Sequence, residues 1–202
     1  MSTGSKAMRQ LSAQLVRQLR PPLSDEDIIP SIGQALTQVR GRPVRLRRIP
    51  FPPGIASGVW VDRTSHDLIG YEENTDLEHQ LVIIGHEAWH MFQGHCGNVT
   101  DHGTAAARSG GSHIAGSLEQ LVAVIAEADG TECPPTARMD APLHFAARAG
   151  AHTSQEELEA EHFGFRFATH VQAARAEARK PADQRNLAGR IQASMAHRVR
   201  RS

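Results

Sequence analysis

The sequence predicts an α+β fold, mainly helical, with a small antiparallel sheet beside a central helix. Three observations predict it. Apolar residues recur at helical spacing before residue 40 and again after residue 75. Between Val44 and Tyr71 the period drops to two, the signature of strands. Over 202 residues the apolar share is 40%, enough for a real core, and helices grouped around a small sheet make an α+β arrangement.

The elements follow in order. Residues 5–19 carry Met8, Leu11, Leu15, Val16 and Leu19 on one side of a helix that Pro21 and Pro22 end. Ser24, Asp25, Glu26 and Asp27 have the acidic, capping character of a second helix start, running towards Val39 and closed by Gly41. Val44 to Ile49 alternates as a half-buried strand, and Pro50, Pro52, Pro53 and Gly54 form a loop. Gly58 to Val61 and Asp67 to Tyr71 flank a five-residue polar connection, which predicts a hairpin. Thr75 and Glu78 read as a capping box for the next helix, with Gly94 and Gly97 as its stop. Residues 98–115 predict a surface loop, 117–128 a short apolar helix, and 129–152 irregular chain. A long helix is expected from Ser154 to about Lys180, and a last, basic one over 182–200. The organisation expected is N-terminal helices over 1–41, a core over 42–180 and a basic C-terminal helix over 181–202, together one compact domain.

Composition narrows the function. Net charge is zero, which argues against whole-surface nucleic-acid binding. Charge is uneven, however: Arg40, Arg42, Arg45, Arg47 and Arg48 cluster, and the tail from Arg175 to Arg201 is basic. Alternation of that cluster with Val44, Leu46 and Ile49 predicts a solvated strand face rather than a nucleic-acid footprint. The two cysteines, Cys96 and Cys133, build no disulfide framework and no Cys-x-x-Cys. No stretch reaches membrane-spanning length and no apolar leader is present, so a cytoplasmic protein with reduced thiols is expected.

One segment carries chemistry. Leu81-Val-Ile-Ile-Gly-His86-Glu87-Ala-Trp-His90 is a His-Glu-x-x-His pentad with an apolar lead-in. On a helix His86 and His90 lie about 40° apart around the axis, so both imidazoles face one pocket. Two neutral imidazoles at that spacing suit a Zn2+ ion, and Glu87 beside them suits a general base acting on water. The competing reading is a pair of core histidines that only hydrogen-bond. A catalytic site of this kind takes a third protein ligand. The glycine and histidine that a metzincin places after its pentad are Gln93 and Cys96 here, and His95, five residues after His90, would sit round the helix from the metal face. A carboxylate from another helix is the natural alternative, and Glu156-Glu157-Leu-Glu-Ala-Glu161-His-Phe-Gly164 offers several.

With those two segments in hand, the chain resembles the ImmA/IrrE family of bacterial metallopeptidase-like proteins. Its members join an apolar lead-in and His-Glu-x-x-His to a later helix patterned Glu-x-x-Ala-(Asn or Asp)-x-Phe-Ala. The chain is similar, more distantly, to membrane zinc peptidases of the HtpX type. The resemblance spans about residues 57–170 but rests on the two motifs. Three positions differ: Glu161 replaces Asn or Asp, Gly164 replaces Ala, and the Leu-Leu-Met-Pro-like ending is absent. The resemblance implies a zincin-like core in which Glu157 is the third metal ligand. It places Glu161 at the Asn/Asp position, a residue to hold the outer nitrogen of a ligating histidine. It also implies a peptidase acting on a protein or peptide, such as a helix-turn-helix regulator or an antitoxin. Two other readings stay open. Ser154 and Glu157 have capping-box spacing, so Glu157 can serve only as a helix start. A zinc-stabilised regulatory protein that cuts nothing, or one that binds nucleic acid, would share the same motifs. Tyr71, His144, Arg148 and His152 are candidates by type for stabilising an oxyanion.

Overall fold

The computed structural model describes residues 3–20, 24–52, 56–95, 111–129, 143–147 and 155–179. Within them, five helices surround a four-stranded mixed sheet. The order is α1 (Thr3–Gln18), α2 (Ile28–Arg40), β1 (Val44–Ile49), β2 (Ala56–Asp62), β3 (Asp67–Glu72), α3 (Leu77–Gln93), α4 (Gly111–Asp129), β4 (Leu143–Ala147) and α5 (Gln155–Arg179).

Local signals account for most boundaries. Gly41 closes α2 at φ 75°, where a left-handed residue lets its N–H reach the Thr37 carbonyl. Pro30 is tolerated because it lies in the first turn, where backbone N–H groups have no helical partner. The N-cap of α3 is Asp76, not Thr75: its side chain accepts the His79 N–H at 2.8 Å. Aspartate one residue further along meets the same orphan donors at the shift of one position. Gly94 then ends α3 at φ 69°.

The sheet departs from the all-antiparallel expectation. Its order is β1-β3-β2-β4, and β1 pairs parallel with β3 while β2 is antiparallel to both β3 and β4. The chain reverses after β1, but β2 forms one strand further over, and the hairpin return β3 fills the space between them. Alternation along a strand reports its faces, not its neighbours, so this insertion is invisible in the residue pattern. Two further differences concern segments read as irregular. Residues 111–115 belong to α4, and 143–147 form the edge strand β4. The basic C-terminal helix expected over 182–200 lies outside the described residues.

Two apolar layers sandwich the sheet. On one face, Val44, Trp60, Ile69 and Tyr71 pack with Met8, Leu15, Ile28, Ile32 and Leu36 of α1 and α2, and with Ile84, Trp89, Phe163 and Phe167 of α3 and α5. On the other, Ile49, Val59, Val61 and Leu68 meet Leu121 and Ile125 of α4. The first layer runs across residue 41, so the N-terminal helices share their core with the rest. Ser12 of α1 and His170 of α5 are joined at 2.7 Å, and Asp25 pairs with Arg175 and Arg179.

Candidate metal centre

The central event is the crossing of α3 and α5. Gly85 and Gly164 face each other there. A Cβ built on Gly85 would lie 3.0 Å from the Gly164 Cα, and one on Gly164 would lie 2.6 Å from the Val82 carbonyl and 3.3 Å from the His86 nitrogen. Two residues without side chains let the backbones approach where any Cβ would separate them. Trp89 and Phe163 stack at 5.0 Å on the flank of this contact. Glu157 stands seven residues before Gly164, two helical turns, and so projects on the same side of α5. The pentad histidines occupy the matching stretch of α3.

Three side chains converge as a result. His86 Nε2 and His90 Nε2 are 3.1 Å apart. Glu157 Oε2 lies 3.4 Å from His86 Nε2, and Oε1 lies 3.6 Å from His90 Nε2. A tetrahedral ion with bonds of about 2.0–2.2 Å sets its donors roughly 3.3–3.6 Å apart. The two edges to Glu157 fall in that range, and the His86–His90 edge, at 3.1 Å, is a little shorter. His86, His90 and Glu157 are the grouping of potential metal ligands among the described residues. His90 is fully buried, while the His86 side chain is 15% exposed and that of Glu157 32%. The cluster therefore has a closed floor and an open mouth. Two neutral imidazoles and a carboxylate form a donor set suited to Zn2+.

Glu87, next to His86 on α3, packs against the sheet. Its side chain is buried, and its Oε1 lies 2.6 Å from where a Gly58 Cβ would be. Strand β2 shifts register against β4 between Ala56 and Val59, so Gly58 sits at an irregularity in the ladder. Glycine there gives the carboxylate room.

The other expected residues fall in different places. Glu161 is exposed on α5: the buried stripe runs through Ala160, Phe163, Gly164, Phe167 and Val171, and Glu161 lies on its solvent margin. The residue beside the outer nitrogen of His90 is His95, whose Nδ1 is 3.3 Å from His90 Nδ1. Straight helical geometry would carry His95 away, but the helix has already ended at Gly94. Tyr71 is buried under α2, and burial pushes its phenol up from the usual value against the opposing pull of Arg48 and Arg47. It lines a cavity of about 940 Å³ between α2, β1 and the start of α3, whose lining does not include the histidines. Cys96, Cys133, Arg148, His152 and Ser154 lie outside the described residues, as does the side chain of His144.

The arginine cluster is engaged within the chain. Arg40 and Arg42 reach the buried Asp67 at 3.0 and 3.4 Å, and Arg42 also meets Asp62 at 3.0 Å. Arg45 reaches Asp129 at 3.3 Å. Arg47 donates to the Ala128 carbonyl and Arg48 to that of Glu73. None of these partners is close in sequence, which is why the pattern of letters predicted only a solvated face.

No helix among the described residues is long and apolar enough to cross a membrane. Compared with known proteins, the chain matches no family model, no curated protein and no solved structure. The resemblance to the ImmA/IrrE family therefore stands on the two motifs alone.

Proposed function

We propose that this chain is a zinc-dependent peptidase that acts in the cytoplasm on a protein or peptide partner, such as a helix-turn-helix regulator, with α3, the sheet and α5 as a zincin-like core. The observation that carries the reading is the triangle of His86 Nε2, His90 Nε2 and a Glu157 carboxylate oxygen at 3.1–3.6 Å, with Glu87 on the same helix. Bound there, Zn2+ would supply Lewis acidity, acidifying water and polarising a carbonyl. His86 and His90 would hold it through Nε2, and Glu157 would bring the negative charge. Glu87 would be the general base, taking the proton of the attacking water and returning it to the leaving amine. Its burial against Gly58 keeps the carboxylate in one orientation.

That burial also motivates the second reading, a zinc-stabilised regulatory or toxin–antitoxin component that binds and does not cut. A carboxylate packed on the sheet can be a structural strut, and metal can join two helices without catalysis. One experiment separates them. The purified protein is assayed for bound zinc and incubated with the product of its neighbouring gene, with cleavage followed by mass spectrometry. Glu87→Gln is expected to keep zinc and lose cleavage. Cleavage by that variant at the wild-type rate would remove Glu87 from the chemistry. Zinc binding with no cleavage by the wild type would leave the regulatory reading. Absence of zinc binding would remove the metal from both readings.

A further inference from the structure

We propose that His95 is the positioning residue of His90, holding it in the tautomer and orientation that leave Nε2 directed at His86 and Glu157. This rests on the metal reading above and goes beyond it, since the motifs point to Glu161 for that task and the fold exposes Glu161.

Three observations meet at His95. Its Nδ1 is 3.3 Å from His90 Nδ1, the nitrogen on the side of the ring away from the donor triangle. The two rings meet edge to face, with centroids 5.4 Å apart and planes at 65°. The backbone N–H of His95 donates to the His90 carbonyl at 3.1 Å, and Gly94 between them sits at φ 69°, ψ 30°. This is a Schellman turn. It folds the chain back at the end of α3, so the residue after the glycine returns over the last turn of the helix instead of continuing away.

The chemistry follows from the proton count. An imidazole that donates a lone pair through Nε2 carries its proton on Nδ1. That N–H needs an acceptor, and His90 is fully buried from water. His95 supplies one in its Nδ1 lone pair, with its own proton on Nε2. Histidines that bind metal commonly give their outer N–H to a carboxylate or carbonyl, and loss of that partner weakens metal binding by about 10–100-fold. Here an imidazole takes the place of the carboxylate. His95 does not itself belong to the triangle, because its ring lies behind His90.

Three variants test this by zinc affinity, measured in competition with a chelating dye, and by the visible spectrum of the Co2+-loaded protein. His95→Phe keeps a ring but offers no acceptor, and should bind zinc about 10–100-fold more weakly with an altered Co2+ spectrum. His95→Asn places an oxygen where Nδ1 stands and should recover most of the affinity. His95→Ala should match His95→Phe. Circular dichroism of the metal-free forms should be unchanged in all three. Zinc affinity at the wild-type level in His95→Phe, or an equal loss in His95→Asn and His95→Phe, would overturn the assignment and leave His95 a turn residue that only packs. Failure of the wild type to bind zinc would instead strike the metal reading itself.

Discussion

The two ends of this molecule bury acidic side chains in opposite ways. At the turn end of the hairpin, the Asp67 and Asp129 side chains are fully covered, and the chain brings them guanidinium groups and ring nitrogens. Arg40, Arg42 and the Trp60 indole N–H converge on Asp67, and Arg45, Arg63 and His66 on Asp129. At the α3–α5 crossing, the groups that converge are lone-pair donors: two imidazole nitrogens and the oxygens of Glu157. The first arrangement brings opposite charges together and ties α4 and β1 to the hairpin. The second brings like donors within about 3.5 Å and calls for a shared cation or proton between them. The difference teaches that a buried acid identifies nothing by itself. What surrounds it separates a strut from a site.

That contrast can be broken, and the largest effect is expected at the strut. Asp67→Ala should destabilise the protein by about 3 kcal/mol, the lower end of the range for one partner lost from a buried pair, because Arg40 and Arg42 reach solvent. The shift is read from the urea midpoint, and zinc binding of the folded protein should be untouched. A change in zinc affinity would couple the two ends and undo the division drawn between them. The converse experiment is His90→Ala or Glu157→Gln. Each should weaken zinc binding by more than about 100-fold, exceeding the loss of an outer partner. Chelation of the wild type should lower its melting temperature, since saturating ligand at about 100 times Kd contributes roughly 2.7 kcal/mol. The two variants should show no such response to chelator.

Gly164→Ala sharpens the comparison because it acts on the crossing without touching a donor. The added methyl meets the Val82 carbonyl at 2.6 Å, so the helices must part. A cost of about 1–3 kcal/mol is expected, with zinc affinity falling in parallel. A variant that is less stable but binds zinc as before would show that the donors are placed by something other than this contact. The smallest effect concerns Tyr71, on the interior strand β3 beside the arginines. Its phenol is raised from 10.0 by burial. A group whose folded value is raised keeps its full contribution below the unfolded value and loses it as pH climbs above about 10. Tyr71→Phe should therefore flatten the alkaline limb of the stability profile. An alkaline limb identical to the wild type would deny that this phenol titrates on unfolding.

Some of this site was legible in the letters. The pentad, its apolar lead-in and Gly94 are enough to put His86, Glu87 and His90 on one helix of known length. Glu157 was reached only through a resemblance between two short motifs, and its distance from the histidines was not in any spacing. Gly58 and Gly85 carry no site signal in the letters, Gly164 stands out only as a departure from the family pattern, and His95 only as a ligand turned away from the metal face. A paired glycine at a helix crossing has no local signature, and the turn that returns His95 depends on where the helix stops.

What the sequence alone determined is what neighbouring residues decide among themselves: helix periods and stops, strand faces, and the facing of two imidazoles one turn apart. Such features depend on backbone sterics and on hydrogen bonds spanning about four residues. Tertiary structure decided the rest. It inserted β3 between β1 and β2, gave the arginines their buried acids, and let α3 and α5 close at Gly85 and Gly164 until Glu157 met the histidines. Those outcomes turn on which surfaces can approach within an ångström of each other across the chain, and that is a property of packed volume rather than of order along the backbone.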